Sequence, residues 1–146
     1  MKTKHSIECW IVDRETEQAL LLTVPAEGDN PAFNQPVTGG IEGAETPLEA
    51  CVREIREETG LNVNPQDLKL IHNGYTVPIN DTLQIQKTLY LLQTKTFTPT
   101  LSPEEHTAHS WTPFNQVNDA LYYESNRVSW GMVGGRWEAS AISFHP

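Results

Sequence analysis

Residues 39–61 read G-G-I-E-G-A-E-T-P-L-E-A-C-V-R-E-I-R-E-E-T-G-L, a glycine loop feeding a carboxylate-rich segment. Thr46 is placed to cap a first helical turn. Pro47 suits the first helical position, where an N–H would be unpaired anyway, and Gly60 can end the helix after Thr59. The spacing predicts a helix over Pro47–Thr59. At about 100° per residue, Glu54, Glu57 and Glu58 project from one sector. Leu48, Cys51, Val52 and Ile55 fall on another sector, which is apolar and would seat the helix on a core. Arg53 and Arg56 flank the acidic stripe. Like charges at this spacing repel by roughly 0.2–0.5 kcal/mol per pair, so the cluster weakens the helix unless a cation neutralises it. Mg²⁺ suits the role, because it takes carboxylate and water oxygens and keeps places open for phosphates. A Glu-rich helix is ordinarily a solvated face. Here the acids are one-sided and follow a glycine loop, which weakens that reading.

Gly39, Glu45 and the run Arg53-Glu54-Ile55-Arg56-Glu57-Glu58-Thr59-Gly60-Leu61 together resemble the signature box of the Nudix hydrolases, with every specified position filled. The resemblance implies an α/β class fold, the Nudix-type α/β/α sandwich with a central mixed β-sheet. It implies hydrolysis of a nucleoside diphosphate linked to another moiety. Glu54, Glu57 and Glu58 would be the metal ligands and part of the catalytic set, with Mg²⁺ as cofactor and Mn²⁺ as its substitute. Glu45 would pair with Arg53 and hold the loop against the helix, while Gly39 and Gly40 would let the backbone bend close to the metal. Dimerisation is frequent in the family, and sheet edges give a homodimer a physical route.

A chain of 146 residues is expected to form one domain, 1–146, with a core that needs no disulfide staples. No apolar run approaches the roughly 20 residues of a membrane span. The start, M-K-T-K-H-S, lacks the apolar region of a signal peptide, so the expected address is cytoplasmic, without a membrane partner. The formal net charge of −9 argues against broad contact with a nucleic-acid backbone. It leaves room for a small polyphosphate, because bound cations invert the local charge. Cys9 and Cys51 lie in segments expected to be regular and buried, and read as small hydrophobes rather than a disulfide.

Ser6–Asp13 and Gln18–Val24 read as a hairpin of strands. Residues 25–36 hold three prolines and read as a loop. Its one large apolar residue, Phe33, is either a loop anchor or, as in many Nudix proteins, an aromatic beside the substrate. Gln35–Thr38 reads as a short strand, residues 61–63 as an extended segment and residues 65–67 as a turn. Leu68–Val77 and Leu83–Thr94 read as strands forming the bed for the acidic helix. His109–Thr112 reads as a short strand. Residues 113–123 read as the second helical layer, on the spacing of Phe114, Val117, Ala120 and Leu121. In the tail, residues 137–144 could form a short helix, but G-M-V-G-G is untypical of one.

Between these elements lies T-F-T-P-T-L-S-P-E-E-H, residues 96–106. The stretch Glu105-His106 to Trp111 resembles the E-H-x-x-x-x-W of dihydroneopterin triphosphate pyrophosphohydrolases and related nucleotide hydrolases. By that resemblance Glu105, in preference to Glu104, would be a further catalytic acid, acting as metal ligand or as base. His106 could orient it, although a lone loop histidine is more often exposed. The expected activity is Mg-dependent cleavage of a diphosphate linkage in a nucleoside or pterin triphosphate by water attack. A dinucleoside polyphosphate hydrolase or a ligand-binding module stands as the alternative. Phe33 and Tyr75 are the candidates to stack on a base, and Lys87, Arg127 and Arg136 to meet phosphate.

Overall fold

The fold is built around strand β1 (Lys2–Asp13) and is followed in chain order by β2 (Gln18–Val24), β3 (Phe33–Gln35), β4 (Val37–Gly40), helix α1 (Pro47–Thr59), β5 (Leu68–Pro78), β6 (Leu83–Gln93), β7 (Ala108–Pro113), a short α2 (Val117–Ala120) and α3 (Glu124–Phe144). These elements come from a computed structural model, which describes residues 1–144 and the side chains of residues 1–134. The sheet is mixed, with order β3-β2-β1-β6-β5. β1 runs parallel to β6 from Lys2↔Leu83 to Val12↔Gln93. Along its other edge it pairs with β4, from Ser6↔Gly40 to Cys9↔Val37, and then with β2 at Val12↔Ala19. β2 in turn pairs with β3 and β7. The sheet therefore forks beside β1, and Pro36, which has no N–H for a ladder, marks the break between β3 and β4.

Both faces of the sheet are covered. Ile7, Cys9 and Ile11 pack with Ala50, Cys51 and Ile55 of α1. Trp10 and Val12, pointing the other way, pack with Leu89, Val117, Trp130 and Val133. Trp10 and Trp130 meet with ring centroids 4.9 Å apart. This burial on both sides explains why β1 reads as a nearly unbroken apolar run. Cys9 and Cys51 are free and buried. Among the described residues, no helix is long and apolar enough to cross a membrane.

Four sequence expectations are corrected. β1 begins at Lys2 rather than Ser6, because the length of β6 gives its polar start a parallel partner. Phe33 lies in a short strand, not a loop, paired with Val24. Residues 61–63 form no regular element, although the turn at Pro65–Asp67 is present as a single 3-10 turn. The second helical layer is α3, not residues 113–123, which hold only a 3-10 turn at Phe114–Gln116 and the four-residue α2. Asn115, Asn118 and Asp119 are poor helix formers, and no side chain caps either turn. α3 continues through G-M-V-G-G because Trp130 and Val133 are anchored in the core, while added side chains at Gly131 and Gly134 would meet only open space. Packing there overrides propensity. The expected helix at residues 137–144 is the end of α3, and its side chains lie outside the described ones.

Candidate active site

Local chemistry fixes α1. Thr46 accepts from the Glu49 N–H at 3.1 Å, and Glu49 accepts from the Thr46 N–H at 2.9 Å. Gly60 closes the helix at φ 78°. Arg53 then ties helix to loop. It donates to Glu45 through Nε at 2.7 Å and Nη2 at 3.0 Å, to the Gly40 carbonyl at 2.9 Å, to Glu54 at 2.6 Å and to Glu57 at 3.2 Å. Hydrogen bonding from Arg53 holds Glu45 below the usual carboxylate range, and the acids hold the guanidinium proton more tightly in return. Gly39 passes so close to the Glu54 carboxylate that a Cβ would overlap it.

These constraints bring Glu54, Glu58 and Glu105 to one cavity of about 430 Å³, walled by Gly39, Gly40 and His106. Glu58 is 2 % exposed. Burial first, then hydrogen bonding and charge from Glu54, then the charge of Glu105 push it up to about 10. Its Oε1 has no hydrogen-bond partner among the described residues. Glu104 also lines the cavity. Glu57 differs: its side chain is 49 % exposed and is engaged by Arg53 at the margin. Among the described residues, no three acidic, imidazole or thiol groups stand together in an arrangement that could hold a metal ion. The donor set nevertheless fits a hard divalent cation, because it is all carboxylate oxygen, open to a cavity, and includes a buried orphan acceptor whose charge is suppressed by its neighbours.

His106 is not the exposed loop residue expected. It is 3 % exposed, held by its N–H to the Ser102 carbonyl at 2.9 Å. Its Nε2 lies 3.4 Å from Gln35 Nε2 and 3.8 Å from Glu58 Oε1. Burial lowers its pKa, against the pull of Glu54.

The remaining candidates separate. Phe33 packs with Tyr122 and Tyr123, at centroid distances of 5.7 and 5.1 Å, beside the acid cavity. Lys87 donates to buried Glu8 at 2.9 Å and lines a neighbouring cavity of about 680 Å³ that shares Gly39 and Gly40 with the first. Tyr75 packs at the margin of the α3-side core, where burial raises its pKa. Arg127 caps carbonyls of Asn118 and Leu121. The Arg136 side chain lies outside the described residues. Sequence reasoning missed Glu8, Asn126, Tyr122 and Tyr123. Glu8 inside the apolar run of β1 and Lys87, the one charge in β6, were the available signal for a buried pair.

A one-sided acidic helix clamped by arginine over a mixed sheet, with helices on both faces, defines a Nudix-type α/β/α sandwich. The chain matches the NUDIX domain family over residues 3–130 and belongs to that family. It is 38 % identical over 76 residues to the dihydroneopterin triphosphate diphosphatase of Escherichia coli K12, covering 52 % of this chain and 49 % of that one. It thus spans about half the length of the curated relatives it matches. The solved E. coli dihydroneopterin triphosphate pyrophosphohydrolase superposes with TM-score 0.68 at 24 % identity, over 89 % of this chain and 95 % of that one. The E. coli ORF135 protein does so with TM-score 0.76 at 19 % identity, over 95 % and 94 %. A Caenorhabditis elegans Ap4A hydrolase gives 0.68 at 15 %, over 95 % and 99 %. At these identities the structural likenesses establish the fold.

Proposed function

We propose that the chain is a divalent-metal-dependent pyrophosphohydrolase acting on a nucleoside or pterin triphosphate. The observation that carries this reading is the convergence of Glu54, Glu58 and Glu105 on one cavity, with the buried Glu58 Oε1 unpartnered. Mg²⁺, or Mn²⁺ in its place, held by Glu54, Glu57 and Glu58, would supply charge neutralisation and a bound water of lowered pKa. The chain's own residues do the positioning. Arg53 fixes Glu54 and keeps the loop on α1 through Glu45 and Gly40. Gly39 leaves room for the Glu54 carboxylate at the cavity wall. Glu105 takes the proton of the attacking water as its oxygen bonds to phosphorus, and the bridging P–O bond breaks to give a monophosphate and pyrophosphate. Positioning and charge dominate such reactions. The pterin side of the reading is supported by the 38 % identity to a dihydroneopterin triphosphate diphosphatase.

A dinucleoside polyphosphate is the second reading, favoured by the Phe33, Tyr122 and Tyr123 cluster, which offers a stacking surface for a second base beside the acids. The test is turnover of nucleoside triphosphates, dihydroneopterin triphosphate and diadenosine tetraphosphate with Mg²⁺ and with EDTA, reading pyrophosphate and orthophosphate separately. Metal-dependent pyrophosphate release from a triphosphate supports the first reading. Cleavage of the dinucleotide alone supports the second, and no turnover by folded protein overturns both.

A further inference from the structure

Glu8 is fully buried, yet it is a carboxylate with four donors around it. Lys87 Nζ and Asn126 Nδ2 each donate to Oε1 at 2.9 Å. Trp10 Nε1 donates to Oε2 at 3.0 Å, and Ser129 Oγ donates to the same oxygen. The network joins β1, β6 and α3. Stability alone does not account for it, because apolar residues in place of a buried ion pair are often neutral or better. Its outer side gives a reason. Lys87 and Asn126 line the cavity of about 680 Å³, next to the acid site, and so does Ser6. Ser6 pairs with Lys87 in the β1–β6 ladder, so the two side chains rise side by side. The Ser6 hydroxyl is buried without a hydrogen-bond partner among the described residues.

Glu8 cancels the charge of Lys87. An ammonium so neutralised is poorly suited as the counter-charge of a phosphate, but its remaining N–H groups still donate and cannot accept. With the Ser6 hydroxyl beside it, it calls for a carbonyl oxygen. The Asn126 amide is oriented by giving its Nδ2 to Glu8, which leaves Oδ1 as its acceptor end, complementary to a ring N–H. A carbonyl next to a ring N–H is the lactam edge of guanine, hypoxanthine and pterin. Adenine places an amino group and a bare ring nitrogen there, setting donor against donor and leaving buried groups unpaired.

We propose that Ser6, Lys87 and Asn126 select a substrate whose ring carries a lactam edge, with Glu8 as the positioning residue that neutralises Lys87 and orients Asn126. This rests on the triphosphate pyrophosphohydrolase reading and names the ring that such a substrate carries.

The experiment compares kcat/KM for GTP, ITP and ATP with Mg²⁺, and separately the binding of GMP and AMP to the protein by equilibrium dialysis. The expected result is that GTP and ITP exceed ATP by at least about tenfold, as for a site built to hydrogen-bond its substrate, and that GMP binds more tightly than AMP. In Glu8→Gln/Lys87→Met, which removes both charges together, and in Ser6→Ala, which tests the pocket without disturbing the ion pair, the GTP preference falls, with the loss in KM rather than kcat. Circular dichroism and melting check the fold of each variant. Equal turnover of GTP and ATP, or a preference unchanged in Ser6→Ala and in the folded double variant, overturns the proposal while leaving the hydrolase reading intact. Should no triphosphate be cleaved, the hydrolase reading fails, and the dialysis decides the ring preference: GMP over AMP supports it, and equal binding overturns it.

Discussion

Arg53 is the residue on which the site's geometry turns, since its guanidinium touches three acids and a loop carbonyl at once. Gly39 is its counterpart on the loop, because the Glu54 carboxylate occupies the space a side chain would need. Gly39→Ala should therefore displace Glu54 and lower turnover by roughly 10- to 100-fold, the scale of a misplacement near 1 Å, with little loss of fold. Steady-state kinetics beside a melting curve checks this, and wild-type turnover would sink it. Glu58 carries a pH prediction for the metal-free protein. Its pKa is pushed up from the ordinary carboxylate range to about 10 by burial, Glu54 and Glu105. Across that window the folded state holds a proton that the unfolded state has released, so the group's contribution is intact below the unfolded value and is lost as pH rises through the folded one. In EDTA the melting temperature should fall with rising pH across this range, and Glu58→Gln should flatten the fall. A slope of the same size in the variant would contradict the assignment. The acids were legible because they share one helical sector, and the Glu45–Arg53 pair through the resemblance to the Nudix box, whereas the bonds of Arg53 to Glu54, Glu57 and the Gly40 carbonyl were not. The burial of His106 and Glu8 was not, because distant elements close over them: His106 beside Gln35 and Glu58, Glu8 beneath Asn126 and Ser129.

Helix α1 was readable at both ends because each signal is local: a threonine cap, a proline in the first turn, a left-handed glycine at the close. Thr46→Ala removes the cap and should cost about 1 kcal/mol in urea denaturation. No change in midpoint would show that the loop contacts of Arg53 hold the helix start without it. Apolar spacing misled where it was short. Phe114, Val117 and Leu121 do reach the α3-side core, but through a 3-10 turn, a four-residue helix and an extended Leu121 rather than one helix. α3 was hidden for the opposite reason, since its glycines argue against a helix while two buried anchors, Trp130 and Val133, hold it on the sheet. Six of the seven strands were legible, with Gln35–Thr38 read as one strand where β3 and β4 lie, and so was the β1–β2 hairpin, but the long-range pairing was not. β1's parallel ladder with β6 joins residues some 80 positions apart, and no local pattern records that.

At the scale of the molecule, the two helical layers have separate duties. α1 presents the acids, and α3 closes the sheet's other face and supplies Asn126 and Ser129 around Glu8. Trp130, 8 % exposed against Trp10 and Phe114, is the main anchor of that second layer. Trp130→Ala should cost about 3–5 kcal/mol in chemical denaturation, the range for removing a large buried aromatic. A loss below 1 kcal/mol would mean that α3 is held elsewhere. The net charge of −9 is compatible with the proposed function, because bound cations would invert the local charge at the acids. The measurement that tests this most directly is calorimetric titration of Mn²⁺ and Mg²⁺ into the metal-free wild type, Glu54→Gln and Glu58→Gln. Saturable binding by the wild type, weakened at least about tenfold in both variants, is the predicted result. Folded wild type that binds neither ion, or variants that bind as tightly as the wild type, would contradict it.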